Sequence, residues 1–255
     1  MAWLDAGKPH HYRFIGARDT PIEQQCAQPA VARPSLSRRV LLMSGFAALV
    51  GGLAAVAAPT VLLPGASANR RFTVFYKGDK IGTHTVVATP ETRETRVTTE
   101  IDLVVKAMFF TVFSFSHRSE ESWRDGRLMS LKSDTVEHGE RLRVEGRAVP
   151  RGFRVVSKDG PFIAPEGALT SNSLWTPMVL TQDTLVDAQH GGIIGVSARK
   201  LADESMTIAG REILTTRYRF ITPYFAGSVW YDDTSRWVHG EFERDGAKIE
   251  YRLDA

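Results

Sequence analysis

Cysteine is almost absent from this sequence. The single one, Cys26, precedes an apolar run, and residues 69–255 have none. That excludes disulfides, iron–sulfur clusters and thiolate metal sites from everything after residue 68. Nor is Cys26 placed like a lipoprotein cysteine, which would follow an apolar run. Net charge is also missing from the larger part of the chain. Six of the 32 Lys and Arg and three of the 29 Asp and Glu precede Asn69, leaving 26 of each behind it. The overall charge of +3 thus comes from the first 68 residues, and no general electrostatic case exists for binding nucleic acid or an anionic membrane. Catalytic signatures are lacking too: there is no Gly-x-Ser-x-Gly, His-Glu-x-x-His, phosphate loop or dinucleotide fingerprint. No cofactor is expected.

What the chain does have is an export pattern. Ser37-Arg38-Arg39-Val40-Leu41-Leu42-Met43 pairs two arginines with an apolar start, as twin-arginine signals do, although Leu41 and Met43 depart from the usual Phe and Lys. Residues 40–64 are apolar but rich in Ala and Gly, and Ala66-Ser67-Ala68 offers the small residues of a cleavage site. We expect residues 1–68 to be a leader with an n-region, 1–36, that lacks periodicity. The twin-arginine translocase and signal peptidase would be its partners, and cleavage after Ala68 would leave a periplasmic domain, 69–255. An uncleaved signal anchoring the chain to the inner membrane is the alternative, since 40–63 is long enough to span a bilayer; Pro59 and the cleavage-like end argue against it.

After residue 69 the pattern is one of strands. Val97, Thr99, Ile101, Leu103 and Val105 alternate with Arg96, Thr98, Glu100 and Asp102, the period of a half-buried strand. Turn pairs punctuate the chain at Lys77-Gly78, Ala209-Gly210 and Asp245-Gly246, and between them Asp125-Gly126, His138-Gly139, Arg151-Gly152 and Asp159-Gly160 recur at spacings of 8–13 residues. The expected fold is mainly all-β, a single curved antiparallel sheet or open β-barrel of about 10–12 strands. Residues 162–192 interrupt it. There Ser171-Asn172 can cap a short helix near 174–180, and Asp183–Gln189 can add a helical turn.

Aromatic residues are the richer functional signal. Phe109, Phe110, Phe113, Trp123, Trp175, Tyr218 and Trp230 exceed what closing hairpins requires, and a curved sheet could gather them around a lipid or other greasy ligand. In the plainer alternative the 162–192 segment fills the groove and they are core. Two groupings of ionisable residues stand out. Asp183, Asp187 and His190 would share a helical face at metal-ligand spacing, but solvated residues beside a helix end are the simpler account. His117, Glu120 and Glu121 do not converge, because on a strand His117 and Glu121 point one way and Glu120 the other.

The stretches Phe75-Tyr76-Lys77-Gly78-Asp79-Lys80-Ile81-Gly82 and Glu121-Ser122-Trp123-Arg124-Asp125-Gly126 resemble an uncharacterised family of exported bacterial proteins, a domain of unknown function. Trp230-Tyr231-Asp232, Trp237 and Ile249-x-Tyr251-x-Leu253 extend the likeness across residues 72–253. Such proteins are similar in pattern to the open barrels of the lipoprotein-localisation carriers LolA and LolB, which wrap an antiparallel sheet around short helices and bind acyl chains. The resemblance implies a fold, and a function only by analogy.

The expected function is therefore a non-catalytic periplasmic protein holding a hydrophobic ligand or lipid in its concave face. An envelope assembly protein acting through protein contacts is the second expectation. A metal-assisted hydrolase using Asp183, Asp187 and His190 is the third.

Overall fold

The structure, a computed structural model, describes residues 69–254 apart from Met108 and Asp245. The expected leader, with Arg38, Arg39, the apolar run, Ala66 and Ala68, lies outside the described residues.

The chain runs as an antiparallel meander: β1 (Arg70–Tyr76), β2 (Asp79–Pro90), β3 (Thr95–Ala107), β4 (Phe110–Arg124), β5 (Arg127–Glu137), β6 (Glu140–Val149), β7 (Gly152–Ser157) and β8 (Gly160–Ala164). After an insertion it resumes with β12 (Ser197–Ile208), β13 (Arg211–Ile221), β14 (Ala226–Asp232), β15 (Trp237–Arg244) and β16 (Ala247–Leu253). The last strand pairs with the first, which joins the two halves into one thirteen-stranded curved sheet with β8 and β12 at its edges. The turns follow their chemistry. Lys77-Gly78, Asp125-Gly126, His138-Gly139 and Ala209-Gly210 all have positive φ at both positions, the geometry whose twist matches that of the flanking strands.

Register rows carry the core across the sheet. One row reads Leu253, Phe72, His84, Ile101, His117, Thr135 and Leu142, each paired directly with the next. Another reads Ala88, Val97, Glu121, Leu131, Gly146 and Val155. These inner-face residues are buried or nearly so, while the opposite face of β3–β6 carries exposed ion pairs such as Arg96–Glu120, Arg118–Asp102 and Asp134–Arg141. Gly146 belongs in its row for a packing reason: a Cβ there would stand 2.2 Å from the Phe153 ring.

Three features differ from the sequence expectation. The sheet has thirteen strands, because Gly160–Ala164 pairs despite Pro161; proline is tolerated there because β8 is an edge strand. The expected helix near 174–180 is two 3-10 turns, Ser173–Trp175 and Pro177–Thr181, since Pro177 cannot donate within a longer helix. The expected helical turn at Asp183–Gln189 begins instead as a strand. Thr184–Val186 (β10) pairs parallel with Leu169–Thr170 (β9) and antiparallel with Ile193–Gly195 (β11).

This insertion, residues 165–196, covers the concave face. Leu169, Leu174, Trp175, Val179, Leu185, Val186 and Ile194 join one buried cluster with Trp123, Leu131, Val144, Phe153, Phe220, Tyr231 and Phe242 of the sheet. The Tyr231 hydroxyl donates to the Leu174 carbonyl at 2.7 Å and fastens the first 3-10 turn to β14.

Candidate functional site

Beneath the insertion, β4 offers a row of polar side chains. Its period of two puts His117, Ser119, Glu121 and Trp123 on the inner face, and all four are buried. The insertion answers each in turn. The Thr170 hydroxyl donates to Glu121 Oε1 at 2.6 Å, and the Trp123 indole N–H donates to Oε2 at 2.9 Å. The amide nitrogen of Asn172 donates to Ser119 Oγ at 2.8 Å and to His117 Nε2 at 2.9 Å. With Nε2 accepting, the neutral imidazole donates from Nδ1 to Thr135 Oγ1 at 2.8 Å. Ser133 closes the row by donating to the Ala188 carbonyl at 2.5 Å.

Burial dominates the titration of this seam. Desolvation lifts Glu121 to about 7, against the opposing pull of Thr170 and Trp123. It also holds His117 down to about 4. His84, in the same register row, is pushed to about 3 by desolvation. Its ring sits among Phe72, Trp237 and Tyr251, and neither ring nitrogen has a hydrogen-bond partner. Asn172 Oδ1 and Trp175 Nε1 are likewise buried without a partner.

At the rim the insertion is held by a second cluster. Asp187 Oδ1 accepts the backbone N–H groups of Gln189 and His190, and Oδ2 accepts the Tyr224 hydroxyl at 2.6 Å and His190 Nδ1 at 3.0 Å. His190 Nε2 donates to Glu137 Oε2 at 3.1 Å. Both ring nitrogens thus face carboxylates. The hydrogen bonds to Asp187 and then Glu137 raise His190 to about 9, which makes it an imidazolium at neutral pH. Desolvation would raise Asp187, but the hydrogen bond and charge of His190 outweigh it and hold the carboxyl below its ordinary value.

This arrangement corrects the expected metal grouping. Asp187 and His190 meet, but Asp183 is exposed and its carbonyl accepts the Val196 N–H, because the strand at Thr184–Val186 breaks the helical spacing. Glu137 and Tyr224 complete the cluster instead. Asn172 does not cap a helix with its side chain; the amide is spent on β4. Glu120 points outward to Arg96 while His117 and Glu121 point inward, as the strand period requires.

On the outer face, His239, Glu241 and Glu250 bring metal-capable atoms within 4.8 Å of one another. Their charges are already answered. Lys248 Nζ lies 2.7 Å from Glu241, and Arg252 grips both oxygens of Glu250 at 2.8 Å. A divalent ion would have to displace both cations.

The seven aromatic candidates do not line one surface. Trp123 and Trp175 pack edge to face at 5.2 Å under the insertion, and Tyr218 packs on Tyr231 at the border of the same core. Trp230 lies outside that core cluster, with Arg217 over its ring and its N–H donated to Glu204 at 2.6 Å. Phe113 is half-buried, between Phe115 and His138. Phe109 and Phe110 stand at the β3–β4 tip, 94% and 74% exposed. The concave pocket expected to hold all seven is thus filled by the insertion, which separates them into core, outer face and hairpin tip.

Fold and seam together define a β-barrel-like domain packed around its own insertion. The chain belongs to the family described as a domain of unknown function (DUF6134), whose model matches residues 72–254. It is similar in fold to a crystal structure titled as a beta-barrel-like protein of domain of unknown function DUF1849 from Brucella abortus. That likeness has a TM-score of 0.52 and 8% identity, over 72% of this chain and 94% of the other. At that identity it shows the fold alone. Comparison with curated proteins gave no match.

Proposed function

We propose that this is an exported, non-catalytic envelope protein that acts through contacts made on its surface. The observation that carries the reading is the insertion: Leu169, Val179, Leu185 and Val186 occupy the concave face as fully buried core. An interior already packed by the protein's own chain leaves the outside to do the work. The twin-arginine-type leader supports a periplasmic destination, reached through the translocase and signal peptidase, with an uncleaved inner-membrane anchor as the alternative. No helix among the described residues is long and apolar enough to cross a membrane.

A second reading keeps the hydrophobic ligand or lipid in the concave face. It is favoured by the unpartnered buried atoms of His84, Asn172 and Trp175 along the insertion and the inner face of the sheet. Native mass spectrometry of the exported chain, followed by organic extraction, separates the two. A bare mass, with no apolar molecule retained inside the barrel, supports the surface reading. A co-purifying apolar molecule sinks it in favour of the ligand.

A further inference from the structure

The β3–β4 hairpin runs past the end of β5 and parts from β2. Its ladder to β2 stops at Gly82–Leu103, and its ladder to β5 stops at Phe115–Glu137, with one further bond from the His138 N–H to the Ser114 carbonyl. Beyond those points the two strands pair only with each other, from Val104–Ser114 to Ala107–Phe110. Four residues at strand rise make a two-stranded tip about 13 Å long, beside which the β1–β2 hairpin continues from Gly82 to its Lys77-Gly78 turn without pairing to it.

The composition of that tip is wrong for solvent. Val104, Phe109, Phe110 and Val112 are all exposed, and Phe109 is the most exposed large apolar residue described. Hairpin tips ordinarily carry polar turn residues, as Lys77-Gly78, Asp125-Gly126 and His138-Gly139 do in this sheet. Exposed lysines surround it: Lys106 on β3, and Lys77 and Lys80 at the neighbouring β1–β2 turn, against the single acid Asp79 there. On the other side, Glu140 is paired with Lys158 and Glu137 with His190.

We propose that this tip inserts into the surface of an anionic lipid bilayer, an inference that rests on the surface reading and names its partner. A narrow protrusion with two phenylalanines at its end cannot bury them against a flat protein face, but it can pass between lipid headgroups. Apolar groups bound at an interface sit about 5–10 Å deep, within the reach of the tip. Lys77, Lys80 and Lys106 then lie level with the phosphates, where each cation adds to the attraction.

The test uses the full chain with Cys26→Ser and Thr111→Cys, the new thiol carrying an environment-sensitive fluorophore. Vesicles contain about three parts phosphatidylethanolamine to one part phosphatidylglycerol. The expected result is a blue shift with quenching by lipids brominated in the acyl chain. Phe109→Ser with Phe110→Ser should weaken the response at least about tenfold. Lys80→Glu with Lys106→Glu should weaken it severalfold, and an unchanged melting transition in each variant shows that the fold survives. Vesicle binding without a change at position 111 reports the leader alone and overturns the proposal, as does a response indifferent to the serine pair. A photocrosslinker at position 109 that captures one envelope protein in cells, and no lipid, also overturns it while leaving the surface reading intact. An apolar ligand recovered from the barrel would sink the surface reading itself.

Discussion

Trp123 donates its indole N–H to the carboxylate of Glu121, two residues earlier on the same strand, at 2.9 Å. The two share the inner face because strand side chains alternate, so the hydrogen bond follows from spacing alone. Thr170 supplies the second donor from the insertion. Neither donor is charged, and no cation among the described residues offsets the burial of Glu121, which lifts its pKa to about 7.

That shift makes Glu121 a liability as pH rises. The folded carboxyl keeps its proton up to about 7 and the unfolded one releases it near 4.5. Its contribution is therefore complete below pH 4.5 and is lost as pH climbs through 7, by about 3 kcal/mol in all. Glu121→Gln keeps the shape and an acceptor oxygen, and its amide can donate to the Thr170 hydroxyl. Urea unfolding should show the variant gaining on the parent by about 2–3 kcal/mol between about pH 4.5 and pH 8. An unchanged difference across that range would remove the buried carboxyl from the account.

His84 acts in the opposite sense. Its folded pKa of about 3 lies below the ordinary 6.5, so the unfolded chain takes up a proton first as pH falls. Stability is present above 6.5 and is lost on acidification toward 3. His84→Leu removes a buried imidazole with no partner, relieving a desolvation cost of about 1–3 kcal/mol. The gain should be larger at about pH 5 than at pH 8 in parallel thermal melts. A variant less stable at both would mean that the ring has found partners.

How much of this was legible beforehand depends on the range of each interaction. Asp125-Gly126 and His138-Gly139 announce hairpins locally, and the β3 alternation announces its own buried face, so the meander could be written down from neighbours alone. The insertion could not. Thr184–Val186 is strand only because β9 and β11 flank it, and its spacing also permits a helical turn. The seam was half visible: His117 and Glu121 were placed on one face, but Asn172 and Thr170 reach them from 55 and 49 residues away, and no short-range pattern signals that. The aromatic surplus was real, but counting rings does not say which face each one takes.

Gly146 offers a packing test that is independent of charge. A Cβ at this position collides with the Phe153 ring at 2.2 Å. Gly146→Ala should cost about 1–3 kcal/mol through overpacking. Phe153→Leu alone should also destabilise, by opening space in the core. Because the two faults are complementary, the double variant should recover part of the loss, with a coupling of at least about 0.5 kcal/mol in a double-mutant cycle. Simple additivity would mean that the ring turns away freely and that glycine is not required.

The rim cluster predicts where the insertion loosens. His190 binds its proton more tightly when folded, with a pKa of about 9 against 6.5. Its contribution is complete below pH 6.5 and disappears as pH rises through 9. Because the ring is about a third exposed, solvent screening reduces the full value to roughly 1–2 kcal/mol. The loss should be local, since the ring joins Asp187 of the insertion to Glu137 of β5. Hydrogen exchange at residues 187–192 should therefore accelerate between about pH 7 and pH 10 beyond the intrinsic rise, while β3 and β4 stay protected. His190→Gln should show the loosened pattern already at pH 7 and lose the extra pH dependence. Tyr224→Phe, which removes the 2.6 Å bond to Asp187, should loosen the same segment at every pH. If neither variant changes protection at 187–192, the insertion is held by its apolar face alone and the rim cluster is surface decoration.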